Sequence, residues 1–281
     1  MTAGTRSRPS GRSAPDITSA ATVCKEVTGL NVLEIRDLDK SFVSHKKGTL
    51  VHAVDHVNLT LAKGEFLGIV GESGCGKSTI AKLVMGLLTP DGGEILLDGE
   101  ALRCPYSRGV YKRLQMIFQM PKDSFDPRRT IGKCLTGVLK NFGTPAEQCR
   151  EKAVALLERV GLNDTFFNKY PHEMSGGECQ RAAIARAMAA EPEILICDEI
   201  TSALDVSVQA QIVDLILRLK EKGEISVIFI SHDLALVQGI CDRIFVMRDG
   251  KTVEEGTTDK ILSDPDDPYT RALIDAVFDV K

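Results

Sequence analysis

No run of apolar residues in this chain approaches the roughly 20 that a membrane-spanning helix needs. The longest, such as 227–230, hold only a few residues, so the chain is not expected to cross a bilayer by itself. A basic excess is missing as well. Thirty-five Lys and Arg against 39 Asp and Glu leave a net charge of −4, which argues against wholesale nucleic-acid binding. No CxxC pair occurs among the cysteines at 24, 75, 104, 134, 149, 179, 197 and 241. That excludes a secreted disulfide scaffold and a structural zinc site, and reads as free thiols in a reducing cytosol. Residues 1–22 lack the apolar stretch of a secretory signal. They hold Arg6, Arg8 and Arg12, many Ser and Thr, two prolines and a single acid, Asp16. This composition fits a disordered tail over 1–31 better than an organellar transit peptide.

What remains is an ordinary globular composition, 43% hydrophobic and 26% charged over 281 residues, enough for one to two domains with a sizeable core. Leu33, Ile35 and Leu38 open a strand-like stretch, and Val57-Asn58-Leu59-Thr60-Leu61 alternates at period two, as a half-buried strand does. The continuous apolar runs 66–70, 194–197 and 227–230 suit strands buried on both faces. Further strands are expected at 94–97, 114–118 and 243–247, and helices over 78–88, 146–160 and 178–190, with Ile212, Leu215, Ile216 and Leu219 on one more helical face. Strands alternating with helices predict an α/β fold with a mostly parallel sheet. The span of about 120–190 has little strand pattern and reads as an inserted helical lobe.

Gly71-Glu72-Ser73-Gly74-Cys75-Gly76-Lys77-Ser78 fits G-x-x-x-x-G-K-[ST] between a predicted strand and a predicted helix, the setting in which that pattern means a phosphate-binding loop. Glycines let the backbone wrap closely round phosphate, and the helix N-terminus adds positive potential. Lys77 is then the partner of the β- and γ-phosphates, and Ser78 holds Mg²⁺. The apolar run 194–197 ends in Asp198-Glu199. A carboxylate there can reach the Mg²⁺ shell, and Glu199 can polarise the attacking water. Cys75, beside Lys77 and near a helix N-terminus, is expected to favour thiolate and to be shielded by nucleotide.

Four more elements narrow the reading: Gln119 at a strand end, Met174-Ser175-Gly176-Gly177-Glu178 before an Ala-rich helix, Ser202-Ala203-Leu204-Asp205, and Ser231-His232-Asp233. In this order, after a phosphate loop, they resemble the nucleotide-binding subunit of an ATP-binding-cassette (ABC) transporter over about 32–255. A serine-hydrolase triad at 231–233 is rejected, since sequence neighbours do not converge as a triad does. The resemblance implies a RecA-like P-loop NTPase core with an N-terminal antiparallel β portion, an inserted helical subdomain, and a C-terminal extension over 256–281. It also implies a head-to-tail dimer around two ATP molecules. In that dimer Ser175, Gly176 and Gly177 contact the γ-phosphate on the partner's loop. His232 touches the γ-phosphate, Asp205 crosses the interface, and Gln119 joins the Mg²⁺ and water site. Gly71, Ser73, Gly74, Cys75, Gly76, Lys77, Ser78 and Thr79 wrap the phosphates. Phe42, placed in a loop after the first strand, is the candidate to stack on adenine, the alternative being a core phenylalanine. Met174, Glu178-Cys179 and Met120 depart from the commoner family residues without removing a catalytic group.

His52-Ala53-Val54-Asp55, 124–131 and Asp267-Pro268-Tyr269-Thr270-Arg271-Ala272-Leu273 are similar to oligopeptide, dipeptide and nickel importers. The last stretch reads locally as a solvated helix cap. No cysteine follows Cys241, so the iron–sulfur cluster of some relatives is not expected. The implied partners are a second, unlike cassette or another copy of this one, two membrane permease subunits, and an extracytoplasmic substrate-binding protein. The implied place is the cytoplasmic face of the inner membrane, as a peripheral subunit. A soluble cassette ATPase acting on DNA or ribosomes is the alternative, disfavoured by a single phosphate loop without sustained heptads. A catalytically dead scaffold cassette is disfavoured because Lys77, Asp198, Glu199 and His232 are all present.

Overall fold

The computed structural model describes residues 1, 30–43, 50–202, 204–221, 223 and 225–278. The expected tail lies outside them almost entirely; at Asn31 the first strand has already begun. In chain order the strands and helices are β1 (Asn31–Val43), β2 (Leu50–Ala62), β3 (Phe66–Val70), α1 (Lys77–Val84), β4 (Gly92–Leu97), β5 (Glu100–Ala101), α2 (Arg108–Arg113), β6 (Leu114–Ile117), α3 (Ile131–Asn141), α4 (Cys149–Arg159), α5 (Gly176–Met188), β7 (Ile194–Asp198), α6 (Val206–Glu221), β8 (Ser226–Ile230), α7 (Leu234–Ile240), β9 (Arg243–Arg248), β10 (Lys251–Thr257), α8 (Thr258–Ser263) and α9 (Pro268–Phe278).

Two sheets result. The N-terminal one is antiparallel, in the order β2-β1-β4-β5. Its alternation is the one the sequence shows: Val57, Leu59 and Leu61 are buried while Asn58 and Thr60 turn away. The second sheet runs β10-β9-β3-β8-β7-β6 and is parallel except for β10 against β9. Every residue of β3, β7 and β8 is buried, because this sheet is covered on both sides. Leu67, Ile69, Ile196, Ile230 and Phe245 face α1 and the antiparallel sheet. Phe66, Val70, Cys197, Phe229 and Val246 face the helices on the other side. Period-two geometry divides one continuous apolar run between two cores.

Between β6 and β7 the described chain forms no strand, and α3, α4 and α5 pack through Leu135, Leu139, Ala153, Leu157 and Ile184. Helix ends differ from the periodicity. The helix predicted over 78–88 stops at Val84, because Gly86 at φ 67° turns the chain and Leu87 N–H bonds back to Lys82 O at 2.9 Å, a left-handed C-terminal stop. The helix predicted from 178 begins at Gly176, pulled forward by its cap at Ser175. Strand β10 carries no strand pattern in its sequence: KTVEEGT holds one large apolar residue, as an edge strand whose residues are exposed or half-exposed can. Among the described residues no helix is long and apolar enough to cross a membrane.

Candidate functional site

The site lies where β3 and β7 end. After Val70 the chain wraps into the loop 71–76 and then enters α1. Gly71 and Gly76 sit at φ 149° and 109°, and a Cβ on them would fall 2.2 Å from Met247 O and 2.1 Å from Ala53 O. Only glycine lets the loop lie that close to β9 and β2. Gly250 N–H holds Cys75 O at 3.0 Å from the β9–β10 turn. Lys77 is 3% exposed, and its ammonium donates to Gly71 O at 2.8 Å and Glu72 O at 2.7 Å. The loop therefore curls round a positive charge. Among the described residues, the backbone N–H groups of Ser73, Gly74, Gly76 and Ser78 donate to no protein acceptor, whereas Lys77 N–H is turned to the Cys75 sulfur and Thr79 N–H bonds to Gly76 O. Four unspent donors beside an ammonium at a helix start make an anion cradle.

Ser78 Oγ donates to Asp198 Oδ1 at 2.8 Å. Asp198 is 5% exposed; burial raises its pKa, the Ser78 bond opposes the rise, and the neighbouring charge of Glu199 adds to it. A carboxylate whose folded pKa is raised loses stability as pH climbs above the ordinary carboxylate range. A divalent cation would relieve that burden, and a hydroxyl with a carboxylate is the hard-oxygen set Mg²⁺ takes. The donor set fits the metal.

Glu199, at φ 46°, is the centre of a second convergence. Gln119 Nε2 donates to its Oε2 at 2.9 Å, and His232 Nδ1 lies 3.7 Å from its Oε1. The carboxylate is 15% exposed and the imidazole 58%. A left-handed backbone at a non-glycine residue costs of order 1–3 kcal/mol and persists where the surroundings enforce it. Gln119 makes no hydrogen bond to Ser78 or Asp198 among the described residues; its amide is turned to the Glu199 carboxylate. Asp233 is spent on capping α7 through Ala235 and Leu236 N–H, as the rejection of a triad requires.

Two expectations change. Cys75 is 6% exposed, and burial raises the thiol's pKa against the lowering influence of Lys77, whose Nζ lies 3.7 Å away. Proximity to charge suggested a thiolate; desolvation outweighs it, and the side chain packs in the core behind the loop. Phe42 lies within β1, paired with Val51, rather than in a loop. It is 40% exposed, with the Lys40 ammonium 5.7 Å from the ring centroid, so it is no core phenylalanine. Its partner strand passes Ala53 under Gly76, which puts the ring on the strand pair that backs the loop.

Ser175, Gly176 and Gly177 have no hydrogen bond or ion pair to the loop among the described residues. Ser175 caps α5 reciprocally: Glu178 N–H bonds to its Oγ at 3.3 Å, and its own N–H bonds to Glu178 Oε2 at 2.8 Å, which holds that carboxyl below the usual range. Asp205 is likewise turned to its own segment, accepting from Ser207 Oγ and Val208 N–H. Ser175, Gly176 and Asp205 are exposed, while Gly177 is buried. A Cβ on Gly177 would fall 2.4 Å from Val208 Cγ1, whereas on Gly176 the nearest atom is 3.7 Å away. Gly177→Ala should therefore wedge α5 off the stiff Val208 of α6, costing about 1–3 kcal/mol, while Gly176→Ala is tolerated. Thermal unfolding of the two variants checks this.

One contact at the loop had no counterpart in the sequence reading. Glu72 N–H donates to the Tyr269 hydroxyl at 3.2 Å. The stretch around Tyr269 reads as a helix cap, and nothing in its pattern points at a loop 197 residues away.

The family model described as ABC transporter matches residues 54–202. The chain is 45% identical over 267 residues to the oligopeptide transport ATP-binding protein OppF of Escherichia coli K12, covering 93% of this chain and 79% of that one. It is 42% identical over 254 residues to the dipeptide transport ATP-binding protein DppF of the same organism, covering 87% and 76%. Among solved structures, cbiO1 of Clostridium perfringens, described as part of the ABC transporter complex cbiONQ, superposes with a TM-score of 0.70 at 28% identity over 83% of this chain and 91% of that one. The dimeric bacterial ABC transporter cassette MJ0796 does so with the same score and identity over 80% and 98%, also in a post-hydrolysis state bound to ADP and Pi.

Proposed function

The chain belongs to the ABC transporter family and is an ATP-hydrolysing motor subunit; from that premise we propose that it drives import of oligopeptides or dipeptides through separate membrane subunits. The observation that carries the catalytic part is the convergence of Gln119 and His232 on Glu199 beside the Ser78–Asp198 pair. Lys77 and the free N–H groups of the loop hold the β- and γ-phosphates. Phe42 stacks on adenine. Glu199 polarises the attacking water, with Gln119 fixing one carboxylate oxygen and His232 standing at the other to meet the γ-phosphate. Ser78 and Asp198 would hold Mg²⁺, which would supply positive charge beside the phosphate oxygens.

Ser175, Gly176, Gly177 and Asp205 act across a head-to-tail dimer. Their separation from their own loop supports this, as does the dimeric form of MJ0796. A partner that completes each site makes the isolated chain a poor ATPase. The cargo and the membrane partners are carried by the relatives named for oligopeptide and dipeptide transport and by the complex that includes cbiO1. The cassette attaches peripherally at the cytoplasmic face, beneath two permeases served by an extracytoplasmic binding protein.

Purification of the intact membrane complex and its reconstitution in vesicles tests the reading. ATP turnover is expected to be low for the isolated chain and to rise when a second cassette, the permeases and the peptide-loaded binding protein are present. Full turnover by the isolated monomer would contradict the shared site. Stimulation by nickel or a metal chelate, with none by peptides, would move the cargo assignment.

A further inference from the structure

Of the loop residues 72–74, Glu72 alone has its N–H taken by a group outside the loop. The acceptor is the Tyr269 hydroxyl, in the first turn of α9, and the helix start that carries it is held from several directions. The Arg248 guanidinium lies 4.8 Å from the ring centroid, within cation–π range. Tyr269 N–H bonds to Asp267 Oδ1 at 2.7 Å. Asp266 and Asp267 N–H in turn bond to the Glu254 carboxylate of β10 at 2.8 and 3.1 Å, and Arg271 bonds to Pro265 O at 2.9 Å. Strand β10 pairs with β9, whose Met247 carbonyl closes against Gly71. The start of α9 and the floor of the loop are thus one mechanical unit, with the hydroxyl as its contact to the loop's outer limb.

Burial raises the pKa of this phenol, so at neutral pH it is protonated and uses a lone pair to accept from Glu72. Glu72 lies on the exposed limb, one residue before the first free donor at Ser73. Pinning its peptide fixes the direction from which Ser73 and Gly74 approach a phosphate. We propose that Tyr269 is a positioning residue for the phosphate loop, coupling the docking of the C-terminal helix to nucleotide occupancy. The proposal rests on the assignment of this loop to ATP. Coupling of this kind is reciprocal: if the docked helix favours bound ATP, ATP favours the docked helix.

The test uses the full chain. Tyr269→Phe deletes the acceptor and keeps the ring under Arg248. Its Mg-ATP dissociation constant is expected to rise about 2- to 10-fold, within the range for one neutral hydrogen bond, with the nucleotide-free protein still unfolding in one cooperative transition. Amide exchange supplies the readout that a merely structural tyrosine would not move: Mg-ATP should slow exchange across 268–278 in the wild type and not in Tyr269→Phe. Arg248→Met, which removes the cation over the ring, should weaken Mg-ATP in the same direction. Unchanged affinity in Tyr269→Phe, or equal protection of the helix in both proteins, overturns the proposal. Lys77→Ala is measured alongside. If it weakens Mg-ATP while Tyr269→Phe does not, the positioning role alone is lost. If Lys77→Ala also binds normally, the loop's assignment to phosphate falls and takes the proposal with it.

Discussion

Glu199→Gln will bind Mg-ATP as the wild type does and hydrolyse it about 10²–10⁴-fold more slowly, the usual worth of a positioned general base. The substitution keeps the shape on which the neighbours depend. The glutamine side chain retains an oxygen to accept from Gln119 Nε2, now 2.9 Å from the carboxylate. The backbone at φ 46° is held by its own bonds, Glu199 N–H to Ile230 O and Ser202 N–H to Glu199 O, so the residue stays aimed. Only the negative charge that draws a proton from water is gone. Because binding survives and turnover does not, ATP-bound dimers should accumulate. Steady-state hydrolysis in the assembled complex and size-exclusion chromatography with Mg-ATP read the two effects separately. Wild-type turnover in this variant would remove Glu199 from the mechanism.

Lys77→Ala should have the other large effect, on affinity. Its ammonium is buried against Gly71 and Glu72 carbonyls, and truncation leaves both acceptors without their donor while stripping the cradle of its charge. Hydrogen bonds to charged groups contribute about 1.5–3 kcal/mol each, so a loss of about 10²-fold or more in Mg-ATP affinity is expected. Lys77→Arg should not restore it, because a planar fork does not fit a loop closed round a compact ammonium. Calorimetric titration with Mg-ATP gives the comparison, and normal affinity in Lys77→Ala would refute the phosphate assignment.

What the residues reveal in advance follows from where each stands. Strands β3, β7 and β8 write themselves as unbroken apolar runs because both faces are covered. Strand β10 writes nothing, since its residues are exposed or half-exposed and its pairing is supplied by β9. Helix ends moved because single residues decide them: Ser175 pulls α5 forward, and Gly86 cuts α1 short. The loop and the paired acids are legible as local patterns. Gln119 enters only through resemblance to a family, as a residue of the Mg²⁺ and water site, and its meeting with Glu199 bridges 80 residues. Cys75 shows the opposite limit, a local electrostatic inference reversed by burial that no neighbour in the chain announces. Phe42 falls inside β1 because pairing with β2 carries the strand past the point where its alternation stops.

The strand order of the mixed sheet also governs how the protein comes off the ribosome. β3, which delivers the phosphate loop, sits between β9 and β8. Its flanks are tied down by Ser226 Oγ, 162 residues from Gly64, and by Asp242, 176 residues from Phe66. At about 5–20 residues per second, both edges of this apolar strand wait roughly ten to thirty seconds for their neighbours during synthesis. Until then the nascent chain carries an unpaired template for wrong pairing. Destabilising changes in β8 or β9, far from any nucleotide, should therefore lower the yield of soluble protein before they touch its catalysis.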